Sequence, residues 1–309
     1  MKSTDSSPQV PLRRHNEQSH LPLICTTCGT RLDLAADPIV CGGCRVALRV
    51  AVGGQLDLRP RSPRQAQLTV EIGGAPPALP PVELDANPAP ELDLTGLELP
   101  PTISPRFASW MTRAPRAGAL ALDLGCGDAR ARPLIEHAGY DYVGVDLDAP
   151  EATYLADAHA LPFAENTFDL VTTTAVIEYL RQPYLAMHEV HRVLKAGGRF
   201  IGSAGFLVPY LPVTYFHHTH MGILSALDGA GFRIERLLTD EEWTAFEATA
   251  QMAYFTRMPQ PLLTALIRPL KALHRLWWAL GNRFGNRPLT RIERQLRVAG
   301  DVEFIAIKG

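Results

Sequence analysis

The sequence predicts an α/β protein built on an open, mostly parallel sheet, and three observations carry that expectation. From about residue 118 onward, apolar runs of strand length alternate with stretches of helical composition. The first run, Gly118 to Leu124, reads as a buried parallel strand. It opens into the glycine turn Gly125-Cys126-Gly127, and Ala129 to Ala138 then has the composition of a helix. The second run, Tyr142-Val143-Gly144-Val145-Asp146, ends in a carboxylate about 20 residues after the turn, where a ribose diol would find its acceptor.

Composition bounds the rest. A chain of 309 residues with 46% hydrophobic content can bury a large core and still carry extra segments. A formal net charge of −2 argues against a nucleic-acid partner as a general property. No apolar run is long enough to cross a membrane, and residues 1–20 are polar, without the apolar segment of a signal peptide. A cytoplasmic protein is expected.

Residues 1–20 hold little to bury and read as a disordered tail. Residues 21–58 contain Cys25-Thr26-Thr27-Cys28 and Cys41-Gly42-Gly43-Cys44. Two such knuckles at this separation can set four thiolates tetrahedrally around zinc, with no open position left for catalysis. Gly42 and Gly43 are expected to permit the tight second turn, and the alternation Arg45 to Val50 suggests a small β-ribbon. Residues 59–100 are proline-rich and suit a semi-extended linker. The main domain, 101–309, then opens with a predicted helix over Ile103 to Thr112.

Further along, Thr153 to Ala156 and Phe168 to Thr174 read as strands. Tyr184 to Leu194 has helical spacing and is expected to stop at Gly197-Gly198, before a strand from Arg199 to Ala204. Thr219 is an N-cap candidate for a helix to Ala230. Phe232 to Leu238 and Val302 to Ile307 alternate as late strands. Between them, about 240–300, lies a helical insertion with apolar residues near helical spacing and Arg268, Lys271 and Arg275 on another face. Pro269 is expected to kink any single helix there. Two readings stand: a helical cover over the substrate cleft, or a basic amphipathic surface over 260–287 at the inner face of a membrane.

Several of these segments together resemble class I S-adenosylmethionine-dependent methyltransferases, in the type 11 branch that includes the ubiquinone- and menaquinone-biosynthesis enzymes. The resemblance rests on Ala121 to Asp128, Gly144-Val145-Asp146, Asp157-Ala158 with Leu161-Pro162-Phe163, Phe168 to Val171, and Arg192 to Gly198, in the family's order and spacing. Two departures are mild: Ala129 stands where a third glycine often sits, and Ala196 where proline is usual. The resemblance implies a Rossmann-like, mostly parallel seven-stranded sheet with helices on both faces, preceded by the small zinc ribbon. It also implies S-adenosylmethionine as cofactor. Gly125, Cys126 and Gly127 would lie against its methionine part, Asp123 would hold its ammonium, and Asp146 its ribose. Asp157 and Ala158 would meet the adenine, and Thr174 would line the cleft near the methyl group.

Methyl transfer asks the protein to align nucleophile and methyl carbon and to exclude water. A hydroxyl acceptor also needs a base, and His217, His218 and His220, ahead of the Thr219-capped helix, are the candidates. The expected reaction is methylation of a small-molecule or lipid-linked acceptor, oxygen ahead of carbon. A ribosomal RNA methyltransferase and a non-catalytic cofactor-binding module are the rivals.

Overall fold

The strands form where apolar runs can be buried on both sides. In chain order the cysteine-bearing segment supplies β1 (Arg49–Val50) and β2 (Leu56–Asp57). α1 (Pro105–Ser109) leads to β3 (Leu120–Leu124), α2 (Arg132–His137), β4 (Asp141–Asp146), β5 (Tyr154–Leu155) and β6 (Phe168–Thr173). α3 (Pro183–Val193), β7 (Leu194–Gly205), α4 (His220–Gly229) and β8 (Phe232–Thr239) follow. The insertion holds α5 (Ala245–Thr249), α6 (Gln260–Phe284) and α7 (Arg291–Arg297), and β9 (Asp301–Lys308) ends the chain. The computed structural model describes residues 21–35, 38–63, 65–68, 91–100, 103–208, 213–239, 243–255, 257–285 and 288–309. The predicted tail over 1–20, much of the predicted linker, and the boundary at residue 101 lie outside them.

One sheet, ordered β1-β2-β5-β4-β3-β6-β7-β9-β8, joins nine strands among the described residues. The pairs from β2 through β7 are parallel, and β9 runs antiparallel between β7 and β8. Seven strands were expected. The two extra ones come from the ribbon, whose hairpin pairs in parallel with β5 through Leu56↔Tyr154 and Asp57↔Leu155.

Period-two alternation divides each central strand between two apolar layers. Leu120, Leu122 and Leu124 pack with Met187, Val190, Ile223 and Leu227, from α3 and α4. Ala119 and Ala121 face the other way, toward Phe107, Trp110, Leu134 and Ile135 around α1 and α2. Helices therefore cover both faces. Leu23, Cys41, Leu56 and Leu58 belong to the first layer, so the ribbon is packed into the core of the main domain.

Local signals explain most boundaries. Ser104 caps α1 by accepting from Phe107 N, and Thr219 caps α4 by accepting from Gly222 N at 3.1 Å. α2 is shorter than its composition suggests, because residues before Pro133 are spent on the turn and Ala129 sits at φ +56°. α3 ends at Val193, not at the glycines. β7 begins at once, and Gly197 and Gly198 fall inside that strand. α6 runs 25 residues with Pro269 inside it. Pro269 and Ala265, the carbonyl four residues earlier, are both exposed, so water can take the freed acceptor.

Candidate functional site

The parallel strands aim their carboxyl ends at one edge of the sheet, where the glycine turn after β3 and the carboxylate ending β4 meet. Gly125 N and Cys126 N both donate to Val145 O, at 2.9 and 3.0 Å. Gly127 N donates to Asp146 Oδ2 at 3.0 Å, and Asp148 N to Oδ1 at 3.2 Å. The Asp146 carboxylate thus fixes the turn while keeping lone pairs for a diol.

The glycines are needed for two different reasons. Gly125, at φ +72°, lies under Val176, whose methyls would collide with any β-carbon there. Gly127, at φ +53°, faces open space, so its backbone is bare to a ligand. Ala129 adopts φ +56°, the left-handed geometry a glycine would take without strain, which accounts for the glycine often found there.

Asp123 is buried, and Tyr142 Oη donates to its Oδ2 at 3.0 Å. Burial pushes its carboxyl up to about 7, against the pull of that hydroxyl. Cys126 is buried beside it, its thiol pushed up to about 12 by burial. If ionised Asp123 holds a ligand ammonium, affinity should rise with pH through neutrality. Calorimetric titration of S-adenosylmethionine is expected to give about tenfold tighter binding at pH 8 than at pH 6, since the ionised fraction changes by that factor around 7. Asp123→Asn should flatten the profile; an unchanged slope would detach Asp123 from the ammonium. Protein stability should move the opposite way. A carboxyl raised on folding contributes fully below about 4 and loses its contribution as pH rises through 7.

Asp157 Oδ1 accepts from His159 N at 2.9 Å and is 2.6 Å from His159 Nδ1. Gln182 N donates to His159 Nε2 at 3.1 Å, which leaves the proton of the neutral ring on Nδ1, toward Asp157. That contact holds the Asp157 carboxyl below its usual range. Sequence reasoning missed His159; its position two residues after Asp157 in a loop was the available signal. Ala158 packs against the first apolar layer, and Thr174 stands just past β6, half-buried.

The three candidate histidines separate. His217 is exposed. His218 is buried, with Nε2 3.4 Å from Ile177 O, and its backbone N–H donates to Gly205 O at 3.1 Å. Burial lowers the basicity of both His218 and the half-buried His220. The segment they belong to lies across the 3₁₀ turn Ile177–Tyr179, where Tyr215 N and Phe216 N donate to Glu178 O. Glu178 itself was not anticipated. It is buried beside Gly205 at the end of β7, its Oε2 has no partner among the described residues, and burial raises its carboxyl. A lone Glu in an apolar run gave little to find it by.

The cysteine cluster forms as its spacing predicts. The sulfurs of Cys25, Cys28, Cys41 and Cys44 all lie within 4.8 Å of one another, with Cys25–Cys44 at 3.6 Å and Cys28–Cys41 at 3.5 Å. A tetrahedron with metal–sulfur bonds of 2.3 Å has edges of about 3.8 Å, so the donor set fits a zinc-sized ion. The two knuckles share one pattern: Gly29 N donates to Cys25 O, and Arg45 N to Cys41 O. Arg45, not Gly42 or Gly43, takes the left-handed position of the second knuckle, at φ +64°. Gly43 is required for space instead, since a β-carbon would strike the Thr30 hydroxyl.

Comparison with known proteins now bears on this geometry. Residues 122–202, from β3 into β7, match the family described as methyltransferase domain. Over this segment the chain is similar to that family. The chain is 32% identical over 116 residues to the mitochondrial arginine-hydroxylase NDUFAF5 of Rattus norvegicus, covering 33% of each protein. It is 37% identical over 109 residues to the ubiquinone/menaquinone biosynthesis C-methyltransferase UbiE of Roseobacter denitrificans, covering 28% of this chain and 43% of that one. The chain therefore spans about a third to two-fifths of these relatives. An S-adenosylmethionine-dependent methyltransferase from Mesorhizobium loti is a structural neighbour at TM-score 0.42 and 20% identity, over 66% of this chain and 96% of the other. The matched residues include the glycine turn, Asp146, Asp157 and Glu178. The cysteine cluster and α5–α7 lie outside them.

Proposed function

We propose that the protein transfers a methyl group from S-adenosylmethionine to a small-molecule or lipid-linked acceptor, at oxygen in preference to carbon. The observation that carries this is the meeting of a bare left-handed Gly127 with the Asp146 carboxylate, inside a segment matching a methyltransferase domain. In this reading Gly125 to Gly127 receive the methionine part, Asp123 its ammonium, Asp146 the ribose hydroxyls, and Asp157 with Ala158 the adenine. Thr174 lies toward the methyl group. The cofactor brings its own leaving group, so the chain's task is orientation, exclusion of water and removal of one proton.

Proton removal favours oxygen. Glu178, buried at the same edge with its carboxyl raised, is a better base near neutrality than a solvated carboxylate. His218 lies close by, its Nε2 3.4 Å from Ile177 O and its backbone N–H tied to Gly205 O. Zinc held by Cys25, Cys28, Cys41 and Cys44 would be structural. The named relatives differ among themselves in chemistry, a hydroxylase and a C-methyltransferase, so the accepting atom must be found by experiment.

Purified protein, incubated with methyl-labelled cofactor and an extract depleted of the protein, is expected to label lipid or small-molecule fractions. Label in RNA would replace this reading with the ribosomal one. Absence of label, with cofactor bound, would favour a binding module.

A further inference from the structure

α6 leaves most of its apolar side chains in water. Leu262, Leu266, Leu270, Leu273, Trp277 and Phe284 are each between 52% and 80% exposed, and their spacing of three, four and seven sets them on one stripe along the helix. The side facing the protein is different. Leu263 and Ile267 are buried, and Lys271 Nζ lies 2.7 Å from the fully buried carboxylate of Glu247. The cover reading therefore fails for the stripe: among the described residues nothing packs on it.

Charge says what fits there. α6 carries Arg268, Lys271, Arg275 and Arg283 and no acidic residue. Residues 251–300 hold nine Lys and Arg against the single Glu293, in a chain whose formal net charge is −2. At 100° per residue, exposed Arg283 falls to one side of the stripe, and exposed Arg268 and Arg275 lie on the opposite face of the helix. Arg268, Lys271 and Arg275 also join Arg294 around a cavity of about 440 Å³ on the side away from the stripe. No described helix is long and apolar enough to cross a membrane.

We propose that α6 docks the protein on an anionic lipid bilayer, lying in the interface with its stripe among the acyl chains and its opposite, basic face toward the phosphate headgroups. A second copy of this chain fits less well, because it brings the same basic excess over residues 251–300, with Glu293 alone to offset it. RNA would meet the arginines but leave the stripe in water. Docking does not depend on the methyl-transfer reading. It does give that reading a direction: β8 ends at Thr239 on the edge that bears Gly127 and Asp146, and Trp243 Nε1 donates to Leu207 O, just past β7. A bilayer under α6 would thus present an amphiphilic acceptor beside the methyltransferase cleft.

Vesicle flotation of the full chain, without cofactor, tests the docking. Vesicles of phosphatidylcholine with phosphatidylglycerol are expected to lift the protein at least about tenfold more effectively than phosphatidylcholine alone. Leu273→Glu with Trp277→Glu should abolish flotation while leaving the thermal transition in place, since both side chains are exposed. Arg268→Glu with Arg275→Glu should remove the preference for anionic vesicles. Failure of the wild-type chain to float with anionic vesicles overturns the proposal. So does a wild-type dimer, seen by light scattering, that the stripe variant dissociates without any flotation. Retention on RNA unaffected by the stripe variant, again without flotation, overturns it too.

Discussion

Replacing Asp146 by alanine is expected to weaken S-adenosylmethionine binding about hundredfold, a loss of about 2.7 kcal/mol. Two effects add. The ribose diol would lose a charged acceptor, and the Gly127 and Asp148 N–H groups would lose the oxygens that now hold the turn. Asp146→Asn keeps one carbonyl oxygen and should fall between alanine and wild type. Calorimetric titration at fixed pH reads the difference directly. An alanine variant within about threefold of the wild-type affinity would remove Asp146 from the nucleotide site.

Loss of the metal site is expected to reach well beyond the ribbon. Cys41→Ser, or exhaustive chelation, should lower the thermal transition by about 10 °C, since structural zinc contributes several kcal/mol of folding free energy. Cys41 is fully buried and shares an apolar layer with Leu122, Val143 and Phe163, so the damage cannot stay local. Cofactor affinity should fall as well. The Gln55 side chain donates to Pro150 O, and Arg59 Nη1 to Leu147 O at 2.8 Å, gripping the loop that follows Asp146. Arg59 is itself held by a bidentate pair with Asp57 of β2. Metal analysis should find one zinc per chain. A metal-free chain that melts and binds cofactor like the loaded one would make the cysteines incidental.

What could be read from the sequence was set by how local the causes are. The strands at Leu120, Asp141 and Phe168, the cap at Thr219 and the thiolate cluster follow from short-range spacing, and each formed where the residues pointed. The burial of Glu178 and the tautomer of His159 depend on partners far along the chain, such as Gly205 and Gln182, and no local pattern announces them. Pro269 belongs with them. Its cost depends on whether the freed carbonyl faces water, and that is a fact of the tertiary structure. The ribbon was legible as a unit but not as part of the sheet, because its β2 is only two residues long and its partner strand lies far downstream.

That partner lies 98 residues on, and the separation orders events during folding. Pairing Leu56 with Tyr154 closes a very large loop, a step whose entropic cost must be met before any contact at that edge rewards it. The knuckles, by contrast, span only residues 25 to 44 and can close around their ion while most of the chain is still unstructured. The ribbon should therefore exist first as an independent kernel, waiting for β4 and β5 to assemble. Until it lands, β5 is an open strand edge, the kind of surface on which unfinished chains pair with one another. Metal supply during synthesis would then govern yield as much as final stability.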